Sequence, residues 1–185
     1  MVEFALVFPL LVVLLLGIAD FGRVFAAAIT EEAAVRDSAE AAAQEWQQLC
    51  QKYGPPCPTG LLNPADYASL HALALQVACH EAESMPGRVL DGSGNCVMPV
   101  IAVCVHDDHD PGGGDPQCGA EAPPAGGPCY AMDDPWSPAR AGPAGGRPYV
   151  EVRMCYRFDP LIDVALAGFG SVWLQKSNDF AVSNY

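Results

Sequence analysis

The chain has 185 residues, enough for one compact domain with a protruding helix and too few for two ordinary domains. Its 9 Lys+Arg stand against 22 Asp+Glu, a formal net charge of −13 that repels nucleic acid and anionic lipid headgroups and argues against a nucleic-acid partner. All eight cysteines follow position 49 and none forms a CxxC pair, so they read as up to four disulfides made after export, not as a zinc site.

Phe4 to Ala19 carries no charge, and Phe21 to Ile29 continues the apolar run with Arg23 as its only charge. Roughly 20 such residues cross a bilayer as a helix. Asp20 and Arg23 stand three apart, where they pair on one helix face. A secretory signal peptide wants a basic segment before its apolar run; here the preceding residue is Glu3, of the opposite sign. An unpaired carboxylate at membrane depth costs several kcal/mol, so Glu3 calls for a cation from elsewhere.

Val2-Glu3-Phe4-Ala5-Leu6-Val7, then Pro9-Leu10-Leu11, then Gly17-Ile18-Ala19-Asp20-Phe21-Gly22-Arg23 resembles the N-terminal signature of TadE-like proteins, relatives of the type IV pilins. In such pilins a glutamate near the mature N-terminus meets the terminal amine of a neighbouring subunit. The resemblance therefore implies assembly roles for Glu3, Phe4, Pro9, Asp20 and Arg23. It also implies processing by a prepilin peptidase. The family glutamate is usually the fifth residue of the mature chain and here it is third, so two more residues and a leader are expected ahead of Met1. The plain alternative makes Glu3 an interfacial carboxylate beside an ordinary anchor.

From Arg23 to Tyr53 there is neither Gly nor Pro, which predicts one helix from the N-terminus to about residue 52, roughly 75 Å long. Pro9 should kink or loosen its start. Residues 1–29 form the membrane or filament-core segment and 30–185 the head, with 30–53 as the part of the helix belonging to the head. Val35, Ala39, Ala42, Trp46 and Leu49 form a stripe that packs on the head, while Glu31, Glu32, Asp37, Glu40 and Glu45 fall largely off it. Asn63 as cap, Pro64 at the first position and Asp66 in the first turn open a second helix over 63–84, with Tyr67, Leu70, Ala74 and Val77 inward and Met85-Pro86-Gly87 as its stop.

Strands are expected over 96–106, 149–158 and 171–182, making an antiparallel sheet of three or four strands and an α+β fold. Val150, Val152, Met154, Tyr156 and Phe158 point one way; Glu151, Arg153, Cys155 and Arg157 form the polar face. Cys104 shares that outward side, so Cys104 and Cys155 pair with each other or with the intervening insertion. Residues 111–148 hold 9 Gly and 9 Pro, too many for a helix or strand interior, and read as a loop. Cys118 with Cys129 and Cys50 with Cys57 are candidate small-loop closures; Cys79 and Cys96 complete the set, and spacing leaves the connectivity open. The run from Val152 to Ile162, a short apolar helix and a last strand also resembles the TadE-like C-terminal region.

His106-Asp107-Asp108-His109-Asp110, with Asp115 nearby, offers oxygen and imidazole ligands for calcium or a transition metal. Its spacing matches no metal motif, and Asp91-Gly92-Ser93-Gly94-Asn95 does not complete an EF-hand. Asp107, Asp108 and Asp110 are thus weak metal candidates, and no cofactor is expected apart from a calcium ion there. His80 and Glu83 read as a solvated surface pair. No GxSxG, HExxH, P-loop or GxGxxG occurs, so catalysis is not expected.

The expected function is structural. The chain is a single-pass membrane protein before assembly and then polymerises through its apolar helix into an extracellular filament. Its partners are copies of itself, other pilins, the prepilin peptidase and the inner-membrane assembly machinery. A minor or tip pilin, or a membrane-anchored module binding a ligand or metal, is the alternative.

Overall fold

The computed structural model describes residues 2–53, 64–106, 117–120, 149–160 and 171–182. Helix α1 runs unbroken from Val2 to Tyr53 with Pro9 inside it, and helix α2 spans Pro64–Glu81 before a single 3-10 turn, Ala82–Ser84. Six strands follow: β1 (Val89–Leu90), β2 (Cys96–Met98), β3 (Val100–His106), β4 (Gln117–Ala120), β5 (Tyr149–Phe158) and β6 (Val172–Ala181). β1 and β2 form a small antiparallel ribbon, and the others an antiparallel sheet in the order β4-β3-β5-β6.

The chain stops α2 where its residues demand it. Met85 leaves helical dihedrals, Pro86 has no amide hydrogen to continue the ladder, and Gly87 takes φ +81°, a conformation that side-chain-bearing residues rarely adopt. The single strand expected over 96–106 is two, divided at Pro99, because proline cannot donate to a ladder. The loop expected over 111–148 contains β4, an edge strand whose register sets Cys118 across from Cys104. The remainder of that segment, the cap Asn63 and the expected apolar helix after β5 lie outside the described residues.

One core joins the two helices to one face of the sheet. α1 contributes Ala34, Val35, Ala39, Ala42, Ala43 and Trp46, α2 contributes Tyr67, Leu70, Ala74 and Ala78, and the sheet Val103, Val105, Val152, Met154 and Tyr156. Small residues at the α1–α2 contact let the helices approach closely, so Ala78 takes the buried place expected of Val77, which is half buried. Leu49, expected in the stripe, is also only partly buried. Trp46 meets Tyr67 edge to face, ring centroids 6.4 Å apart.

The second face of the sheet carries the polar residues expected on it, with Arg157 exposed, but around Glu151 and Cys155 it is buried. Glu151 is 0% exposed, with a carboxylate oxygen 2.8 Å from Arg153 Nε; Cys155 packs with Val100 and Ala102. Charges can lie there because they are paired and hydrogen-bonded.

Candidate functional site

The N-terminal part of α1 leaves the head entirely. Among the described residues from Phe4 to Phe21 the large apolar side chains stand exposed apart from the half-buried Val12, Phe4 at 70% and Phe21 at 73%, and the first apolar residues to pack on the head are Val24 and Ala27. The arm belongs to the one described helix that is long and apolar enough to cross a membrane, by length and composition. The Phe4 and Phe8 rings lie 5.8 Å apart on one face, ahead of Pro9. Glu3 lies at the start of the helix; its side chain is outside the described residues.

Asp20 and Arg23 do meet, and they form a collar where the arm enters the head. Arg23 donates to Asp20 Oδ1 at 3.0 Å, and its guanidinium lies over the Phe158 ring at 5.1 Å from the centroid. Phe158 ends β5 and is itself buried, so one arginine ties the helix to the sheet through an ion pair and a cation–π contact worth about 0.5–1 kcal/mol. Next to it the Tyr156 hydroxyl donates to the Pro86 carbonyl, linking the sheet to the stop of α2. Burial, with Asp159 and Glu31 adding to it, pushes the phenol above its usual range against the opposing pull of Arg23, so the hydroxyl keeps its proton and stays a donor.

Glu31 is the residue that the sequence placed wrongly. It is 0% exposed, on the face of α1 that packs against β6, and neither carboxylate oxygen has a hydrogen-bond partner of ordinary geometry among the described residues. Burial raises its pKa from 4.5 to about 8, while the Lys176 charge and backbone pull the other way. The Lys176 ammonium is engaged instead by Glu32, at 3.3 Å. Extending the stripe of Val35 and Ala39 by one turn towards the N-terminus lands on Glu31, so the signal was present in the spacing.

Cys79 and Cys96 form a disulfide that ties α2 to β2. Cys50, Cys104 and Cys155 are disulfide-bonded as well, and no described cysteine is free. The expected closures Cys50–Cys57 and Cys118–Cys129 involve side chains outside the described residues. So do Asp107, Asp108 and Asp110. Among the described residues no group of three or more acidic, histidine or cysteine side chains gathers as a metal site. The Asp91 carboxylate is occupied within its own loop, accepting from Ser93 N and Asn95 N at 2.8 Å and from Asn95 Nδ2 at 3.0 Å; these bonds hold its pKa below the ordinary value.

No curated protein and no solved structure matches the chain. Its N-terminal 40 residues, comprising the arm, the collar and the first head-packed turns of α1, are TadE-like: the family model described as TadE-like protein matches residues 1–40.

Proposed function

We propose that the chain is a structural, pilin-like subunit that polymerises through the exposed arm of α1 and displays its acidic, disulfide-bonded head outside the cell. The observation that carries this reading is the unbroken α1, whose N-terminal part buries nothing against its own head and coincides with the TadE-like match. Among the described residues, thirteen large apolar side chains between Phe4 and Ile29 are exposed. Burying them contributes on the order of 20 kcal/mol before the costs of association. A bilayer covers that surface before assembly, and the arms of neighbouring copies cover it afterwards.

In this reading Glu3 accepts a cation from the neighbouring subunit, the N-terminal amine being the family's partner, and so sets the axial register. Head-to-tail contacts that do not close generate a helical fibre. The TadE-like family is structural and pilus-related, which supports pilin partners, assembly machinery and the lack of a catalytic role. Electron microscopy of appendages sheared from the cells, with mass spectrometry of their subunits, tests the proposal. Recovery of this chain from filaments supports it. Retention of all the chain in the membrane, with filaments lacking it, supports the anchored binding module instead.

A further inference from the structure

A cleft of about 410 Å³ opens between α2 and the β1–β2 ribbon. Its size suits a small ligand. Arg88 lines the cleft. Arg23, Lys52, Arg153, Arg157 and Lys176 each lie within 4 Å of a carboxylate, whereas Arg36 and Arg88 have no carboxylate partner among the described residues; Arg36 is exposed on α1, and Arg88 is half-buried in the cleft. Its Nε is buried with no hydrogen-bond partner there, and one terminal nitrogen reaches only Cys79 Sγ, at 3.4 Å, a weak acceptor. A half-buried guanidinium with donors to spare, in a protein of net charge −13, is a site built for an anion.

The other walls narrow the class of anion. Leu75 and Ile101 give an apolar side, and the Gln76 and Asn95 amides give neutral polar groups. Asn95 is held in place: its Nδ2 donates to Asp91, which leaves the amide oxygen as an acceptor for a ligand hydroxyl. A single guanidinium fits a single planar carboxylate, and the surrounding negative charge opposes a densely charged ligand.

We propose that this cleft binds a hydroxylated carboxylate of monosaccharide size, a uronate unit, with its carboxylate on Arg88 and its hydroxyls on Gln76 and Asn95. The site is independent of the filament reading. The uronate comes either as a free sugar acid or as one unit of an acidic polysaccharide.

The test titrates the full chain, in micelles of a neutral detergent, with galacturonate, glucuronate, an oligogalacturonide and galactose at matched ionic strength, followed by the NMR signals of the Arg88 Nε–H and the Gln76 and Asn95 side-chain amides. Saturable shifts with at least one uronate and none with galactose are expected, and Arg88→Gln should weaken binding about tenfold to a hundredfold. Tighter binding of the oligogalacturonide identifies the polysaccharide as the source, and tighter binding of the monomer the free acid. Should Arg88→Gln fail to fold, Arg88→Lys and Gln76→Leu are read in its place, each expected to weaken binding. No saturable shift with any uronate, equal shifts with galactose, or unchanged binding in the folded variants overturns the proposal.

Discussion

Glu31→Gln should change how the stability of the head depends on pH, and the structure fixes the direction. The native carboxyl holds its proton up to about pH 8, whereas the unfolded chain releases it near 4.5. Between those values the folded state binds more protons than the unfolded state, so stability falls as pH rises. The contribution is fully present below pH 4.5 and is lost as pH passes through about 8. At about 1.4 kcal/mol per pH unit the whole interval sets a ceiling of ~5 kcal/mol, and local relaxation around a charged Glu31 reduces it. The glutamine is neutral throughout. Its own amide adds a constant offset of about 1 kcal/mol, and the slope is removed. Urea unfolding of the full chain in neutral detergent, followed by near-ultraviolet circular dichroism from pH 5 to 9, measures this directly. Native stability minus variant stability should decline by several kcal/mol across that range. Lys176→Met, which removes the opposing cation, should move the end of the decline to higher pH. A difference that stays constant from pH 5 to 9 refutes a buried, unpartnered Glu31.

Replacing Cys79 and Cys96 by alanine opens a cross-link of sequence separation 17 and should lower stability by about 3 kcal/mol, read as a shift of the urea midpoint smaller than the shift that reductant, which opens the other disulfides too, causes in the native chain. Leu70→Ala removes a fully buried side chain between α1 and the sheet; a loss of about 2–5 kcal/mol in the same assay is expected, and a loss under 1 kcal/mol would mean that α2 does not pack where described. Arg23→Gln breaks the ion pair with Asp20 and the contact with Phe158 at a partly exposed site, so about 1 kcal/mol is expected, with faster amide hydrogen exchange in the turn of α1 around residue 24. Unchanged exchange there would contradict the collar.

The parts of this fold that are local in sequence were legible in it. The absence of Gly and Pro after Gly22, the Pro64–Asp66 start, the Met85-Pro86-Gly87 stop and the alternation in β5 each act within a few residues, and α1, α2 and β5 appear where they indicate. What failed depended on neighbours distant in the chain. Gln117-Cys118-Gly119-Ala120 has no β-branched residue and becomes a strand through its pairing with β3. Glu151 and Cys155 alternate correctly, yet their side of the sheet is buried, which alternation does not report. The Arg88 cleft gathers residues from α2, the turn after it, the β1–β2 ribbon and β3, none of which carries a motif. The TadE-like character was legible at the N-terminus because an acid before a charge-free run is an unusual order of residues.

The arm is also where the central claim is most exposed to test, because the isolated subunit gives it nothing to pack against. The most direct measurement is quantitative recovery of filaments from cells making the native chain or Glu3→Leu, with mass spectrometry used in both to verify the mature N-terminus and the Cys79–Cys96 disulfide. The account predicts that Glu3→Leu abolishes filaments while its head stays folded, with that disulfide formed and the chain held in the membrane. Filaments of normal yield containing Glu3→Leu would contradict it.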